Sequence, residues 1–258
     1  MGLVITHYMN IYKTIYNKFF NSPKIKFYCE LPEVKENYPV IEASKYKFNW
    51  VKESAKKFKE ISKEKSSYEQ ISGTVRCPGV LPMMRKGYIM QSWFDLTIRL
   101  TDDANRFEFF IPQGLYSYLR DKGYDKQLIS WFSKEEPAHT IPLPNSQLQS
   151  LIKITLPWAV SVPKGWNLIF MPIPYPDQTD FVSVHGILGP GKHYDVNAII
   201  KCNSNNKEFS IPAGTPLFQI IAVRDNNDSI EILDYDADIK QKETERKYLS
   251  NHQFIVKD

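Results

Sequence analysis

Residues 158–224, WAVSVPKGWNLIFMPIPYPDQTDFVSVHGILGPGKHYDVNAIIKCNSNNKEFSIPAGTPLFQIIAVR, decide how this chain is read. Short apolar runs alternate there with Pro and Gly punctuation, the pattern of β-strands joined by tight turns. Counted from residue 150, strand-like runs are SLIKITLPWAVSV, GWNLIFMPI, DFVSVHGIL, DVNAIIKC, FSI, TPLFQIIAV and SIEIL. Their spacing of about ten residues is that of an all-β sandwich or closed barrel. Ile111-Pro112-Gln113-Gly114, Val162-Pro163-Lys164-Gly165 and Ile211-Pro212-Ala213-Gly214 share an apolar-Pro-x-Gly pattern, which predicts three tight turns.

Outward from this block, GYIMQSWFDLTIRL (87–100) alternates as one strand, Asp102-Asp103-Ala104-Asn105 is a turn, and RFEFFI (106–111) is the returning partner. KIKFYCEL (24–31) reads as a strand, followed by a connection from Pro32 to Pro39. A short helix is expected around 127–132, before the Pro-rich passage at 141–144. Residues 45–69 carry interleaved Lys and Glu with apolar positions at Phe48, Val51, Ala55, Phe58 and Ile61, the pattern of a surface helix. Residues 3–20 show helical apolar spacing, and the polar stretch 237–248 reads as a C-terminal surface helix. The domain expectation is an N-terminal helical or extended arm at 1–22, one β-rich domain at 23–236 with an inserted helix near 48–65, and a helical tail at 237–258.

The 258 residues are 42% hydrophobic and 14% aromatic, enough for a large core and against disorder. Lys and Arg number 33 against 29 Asp and Glu, a net charge of +4 without a long basic tract, so nucleic acid is not indicated as a partner. Cys29, Cys77 and Cys202 lie far apart, which fits neither a zinc knuckle nor a disulfide framework. Neither a secretory signal nor an apolar run of about 18 residues is read, so no membrane partner is expected and the location expected is the host cytoplasm or a virion. Met1-Gly2-Leu3-Val4-Ile5-Thr6 matches the loose myristoylation pattern, which has no meaning outside a eukaryotic host.

Two resemblances are carried by these residues. Arg76-Cys77-Pro78, Gly87-Tyr88-Ile89, Asp95, Pro157-Trp158, Pro163-x-Gly165-Trp166-x-Leu168-x-Phe170 and Ile211-Pro212-x-Gly214-Thr215-Pro216-x-x-Gln219 resemble an uncharacterised family from tailed phages and some bacteria, from about Lys24 onward. That resemblance implies a phage origin and no particular chemistry. Gly165-Trp166-x-Leu168, Val184-x-Gly186-Ile187 and Ile211-x-x-Gly214-x-x-x-x-Gln219-Ile220-Ile221 are similar to the strand order of deoxyuridine triphosphatases and deoxycytidine triphosphate deaminases, which implies a β-clip barrel. Those enzymes carry an acid shortly after the Gly-Ile pair; here Leu188-Gly189-Pro190 stands in its place, and Met171-Pro172-Ile173-Pro174 replaces their Ser-bearing phosphate motif.

Several constellations bear on chemistry. His193-Tyr194-Asp195 with His252, or with His185 in its place, has the ligand types of a two-His-one-carboxylate iron site, set against a reading of His193 as a loop residue and Asp195 as a turn residue. Asp234, Asp236 and Asp238 alternate as hard-cation ligands would, without a complete calcium loop. A P-loop, a G-x-G-x-x-G turn and a G-x-S-x-G elbow are absent. Trp93, Trp131, Trp158, Trp166, Tyr175 and Tyr194 are divided between core and surface; any exposed beside Lys164, Lys192 and His193 would stack on a sugar or base or anchor a partner.

The expectation is therefore a mainly β protein, a β-sandwich or β-clip-type barrel with peripheral N- and C-terminal helices. It works without catalysis as a phage-derived accessory or virion-associated binding protein. Its partner is a protein, virion components included, or a small ligand, and it is compatible with a homo-oligomer. Expected ligand-binding residues are Trp166, Tyr175, His185, His193, Tyr194 and Asp195, and expected metal ligands are His193, Asp195 and His252; the cofactor is unknown. The alternative is an enzyme, either a diverged deoxynucleotide hydrolase of β-clip type or a mononuclear iron oxygenase.

Overall fold

Each apolar-Pro-x-Gly sequence closes the turn it predicts. Leu115, Trp166 and Thr215 donate their backbone N–H to the carbonyls of Pro112, Pro163 and Pro212. The glycines at the third turn position sit at φ of 85°, 80° and 86°, the left-handed value that a type II turn requires there. The computed structural model describes residues 24–64, 79–101, 107–132, 151–202 and 208–225; for residues 62–64, 100 and 193 it describes the backbone alone. The chain divides into compact units at 1–225 and 226–258, and the second lies outside the described residues. So do the helices expected at 3–20 and 237–248, the turn at 102–105, Cys77, the strand SIEIL, the Asp234–Asp238 alternation and His252.

The architecture is mainly β, as expected, in three antiparallel sheets that do not close into a barrel among the described residues. The first sheet runs β1 (Lys26–Cys29), β7 (Leu151–Val162), β11 (Gly191–Cys202), β9 (Phe181–Ser183), with β6 (Ile129–Phe132) also on β7. The second runs β10 (Gly186–Leu188), β8 (Trp166–Met171), β13 (Pro216–Arg224), β3 (Tyr88–Gln91), β2 (Ile41–Glu42). The third runs β12 (Glu208–Ile211), β4 (Leu96–Leu100), β5 (Phe107–Phe110). All three sheets contribute to one buried cluster, including Ile152, Ile154, Leu156 and Val160 from β7, Leu168 from β8, Ile98 from β4 and Phe218 from β13. Alternate residues of β7, from Ile152 to Val162, enter it as the two faces of a strand require, and most of the residues between them are buried too, so β7 is covered on both faces.

Four α-helices and one 3-10 turn (Ala43–Lys45) lie among the described residues: α1 (Pro32–Asn37), α2 (Asn49–Glu64), α3 (Val80–Met84) and α4 (Leu115–Asp121). The expected surface helix is α2, although Ala55 and Ile61 on its apolar stripe are exposed. Several local expectations are corrected by tertiary pairing. Residues 129–132 form a strand because they register against Leu151–Ile154 of β7, overriding their helical pattern. Residues 32–37 are helical, with Pro32 in the first turn where its missing N–H has no helical partner to lose. GYIMQSWFDLTIRL is two strands in different sheets, parted at Ser92–Asp95, where Ser92 N–H donates to the Thr215 carbonyl and Gly214 N–H to the Ser92 carbonyl. DFVSVHGIL is likewise two strands, β9 and β10, in different sheets. β11 begins at Gly191, earlier than expected, so His193 and Asp195 belong to a strand and not to a loop and a turn.

Candidate functional site

The connection from β8 to β9, residues 172–180, is held by buried Ile173, by the Gln178 side chain on the Phe181 backbone and by Asp177. Asp177 accepts the backbone N–H groups of Asn49 at 3.0 Å and Trp50 at 3.1 Å, both at the start of α2. Those N–H groups have no partner within the helix, and a carboxylate also suits the positive end of its dipole. Burial, and then the Asp177 charge, raise the phenol of neighbouring Tyr46 above its ordinary value.

On this pinned connection Tyr175 has φ of 52°, the one described non-glycine residue with positive φ. A bulky side chain in that region carries roughly 1–2 kcal/mol of strain. Tyr175 is 52% exposed, and its ring is backed by Trp50 with centroids 5.8 Å apart. Trp50 Nε1 is buried without a hydrogen-bond partner. Open recesses of about 360 and 690 Å³ flank the connection, both lined by Asn49, Pro176 and Asp177.

A third recess, of about 210 Å³, lies where β9 leads into β10 and faces β11; Ser183, His185, Asp195 and Asn197 supply its polar lining and Phe170 and Phe218 are part of its apolar wall. It brings together two of the expected ligand-binding residues, His185 and Asp195. Asp195 is not a free carboxylate: Lys126 Nζ lies 2.9 Å from its Oδ1 and also pairs with Glu30. Partial burial pulls the Lys126 ammonium down, but its hydrogen bonds to Glu30 and Asp195 outweigh this and leave its pKa above the usual lysine value. Beside this pair the Tyr124 hydroxyl is buried without a partner, and burial, followed by the Glu30 charge, pushes it up to about 12. Asn197 Oδ1 is likewise buried and unpartnered.

The remaining expected residues scatter. Trp166 begins β8, packs on the core and lies under the Arg224 guanidinium, 5.5 Å from its ring centroid. Tyr194 donates its hydroxyl to the Pro190 carbonyl and folds over Gly191, where a Cβ would stand 2.2 Å from the phenol oxygen. The backbone of His193 lies in β11 and His252 lies outside the described residues. Among the described residues no three His, Cys, Asp or Glu side chains gather as metal ligands would. Trp93 and Trp158 are core, whereas Trp131 is exposed. Motif residues also prove structural: Asp95 accepts the Ala213 N–H at 2.8 Å, and the buried Gln219 amide donates to the Met83 and Lys86 carbonyls at the end of α3. Sequence reading missed Asp177, Trp50 and Lys126; Asp177 among prolines carried a turn signal, but nothing local pointed to α2.

No family model and no curated protein matches the chain. Among solved structures it is similar, in part and distantly, to dUTPases and a deoxycytidine triphosphate deaminase. A dUTPase of Staphylococcus bacteriophage 80alpha is 15% identical over 33% of this chain and 74% of its own, with a TM-score of 0.26. The native EIAV dUTPase is 11% identical over 58% and 84%, at 0.30. The 2'-deoxycytidine 5'-triphosphate deaminase of Agrobacterium tumefaciens is 10% identical over 81% and 54%, at 0.33.

Proposed function

We propose that this is a non-catalytic binding protein of phage origin, accessory or virion-associated, whose protein partner docks on residues 172–180 with Tyr175 as the anchor. The observation that carries this reading is an exposed ring held at positive φ. Such strain persists where the surroundings over-determine it, here through the Asp177 contacts to α2 and the Trp50 ring. A rigid aromatic side chain already in its bound position loses little entropy on docking, which is the character of an interface hot spot.

Mass spectrometry of purified particles of the encoding phage tests it, with wild type and Tyr175→Gly compared. Glycine relieves the strained backbone, which offsets the lost Trp50 contact, so the variant stays folded while losing the anchor. Wild type present in particles and Tyr175→Gly depleted at least roughly tenfold, as loss of one hot spot predicts, is the expected result. Absence of the wild type from particles removes the virion reading, and equal incorporation of both removes Tyr175 from it.

The enzymatic alternatives would place their chemistry in the recess of His185, Asp195 and Asn197. A metal ion there has to displace the Lys126 ammonium from Asp195, which disfavours the iron reading. For the hydrolase, a panel of deoxynucleotides with magnesium that gave neither binding nor turnover would exclude it.

A further inference from the structure

On another part of the surface an open groove of about 800 Å³ runs between β1 and the turn that enters β11. Four lysines from three separate segments line it: Lys24 and Lys26 at β1, Lys164 in the β7–β8 turn and Lys192 at the start of β11. No acidic residue lines it. Among the described residues none of the four is in an ion pair, whereas Lys45, Lys122 and Lys126 each have a carboxylate partner. Like charges gathered without a counter-charge repel one another, and a polyanion relieves that repulsion. Tyr28, 41% exposed, lines the same groove two positions along β1 from Lys26, so strand alternation puts ring and ammonium on one face. Among the described residues β1 pairs with β7 alone.

We propose that this groove binds single-stranded nucleic acid, with the four lysines following the phosphate backbone and Tyr28 stacking on a base. The lysines come from three separate segments along a groove of about 800 Å³, far more room than one phosphate group fills, which suits a chain of phosphates. A half-exposed ring beside them supplies the sequence-tolerant stacking that single strands offer and duplexes withhold. The site shares no lining residue with the recesses flanking residues 172–180, so it stands or falls independently of the binding reading given above.

The test is fluorescence anisotropy with a labelled dT oligomer of about 20 nucleotides, titrated with the full chain at several salt concentrations. Four phosphate contacts predict that log K falls with log salt at a slope of roughly −2.8 for a single strand, and the double variant Lys26→Glu, Lys192→Glu should bring it to roughly −1.4 or less. A control pair on the exposed face of α2, Lys56→Glu with Lys57→Glu, makes the same change in net charge and leaves the slope unchanged. Tyr28→Ala should weaken binding of dT about 5-fold or more and leave an abasic oligomer of equal charge unaffected. No binding at roughly 50 mM salt, an equal loss in the control pair, or equal affinity for a duplex of the same length would each overturn the proposal. Circular dichroism matching wild type keeps a misfolded variant from counting either way.

Discussion

Asp177→Ala should destabilise the fold by about 1–2 kcal/mol, most of it through one distant helix cap. Two of the four N–H groups left open at the start of α2 are donated to this carboxylate, at 3.0 and 3.1 Å. Losing a side-chain cap costs about 0.5–2 kcal/mol, and the contribution from the helix dipole adds a few tenths where the group is exposed, as Asp177 is. Asp177→Asn keeps one acceptor oxygen and loses the charge, so its effect should be about half as large. Urea unfolding followed by fluorescence reads the difference as a lower midpoint at constant m-value, and the melting temperature falls by about 2–6 °C for a chain of this size. Hydrogen exchange should speed up at the amides of Asn49 and Trp50, the two groups set free. An alanine variant within about 0.5 kcal/mol of wild type, the range of an ordinary surface substitution, would refute the capping argument and remove the support claimed for the strained Tyr175.

Three further outcomes follow from the geometry. Gly87 has φ of 79°, and a Cβ there would stand 2.0 Å from the Ile220 carbonyl oxygen, so Gly87→Ala should lose about 1–2 kcal/mol to backbone strain alone, with the clash against β13 added, read as a lower melting temperature. Tyr124, pushed up to about 12, holds its proton more tightly folded than unfolded, so its contribution to stability is complete below its ordinary value of 10.0 and is lost as pH rises through about 12; Tyr124→Phe should flatten denaturation midpoints across that window. The Cys202 thiol is pushed up to about 12 by burial, so at pH near 8 an alkylating reagent should leave its peptide unmodified in mass spectra until the protein is unfolded.

Elements under the control of short-range stereochemistry could be read directly from the residues. The three Pro-x-Gly turns, the hairpin of β4 and β5 and the helix α2 were legible because each rests on dihedral preferences or on periodicity within one segment. The rest depended on contacts between distant segments. Only pairing with β7 makes 129–132 a strand, and only the distribution of edges among three sheets cuts 87–100 and 180–188 in two. The site shows the same division. His185 and Asp195 were named from side-chain chemistry, but the lysine that occupies Asp195 is 69 positions away and the helix that Asp177 caps is 128 away. Contacts across such spans depend on how sheets stack, and no local pattern of residues records that. Tyr175 was visible as an aromatic among prolines; that it stands out from the surface at positive φ, backed by Trp50, was settled by the packing of α2 against residues 172–180.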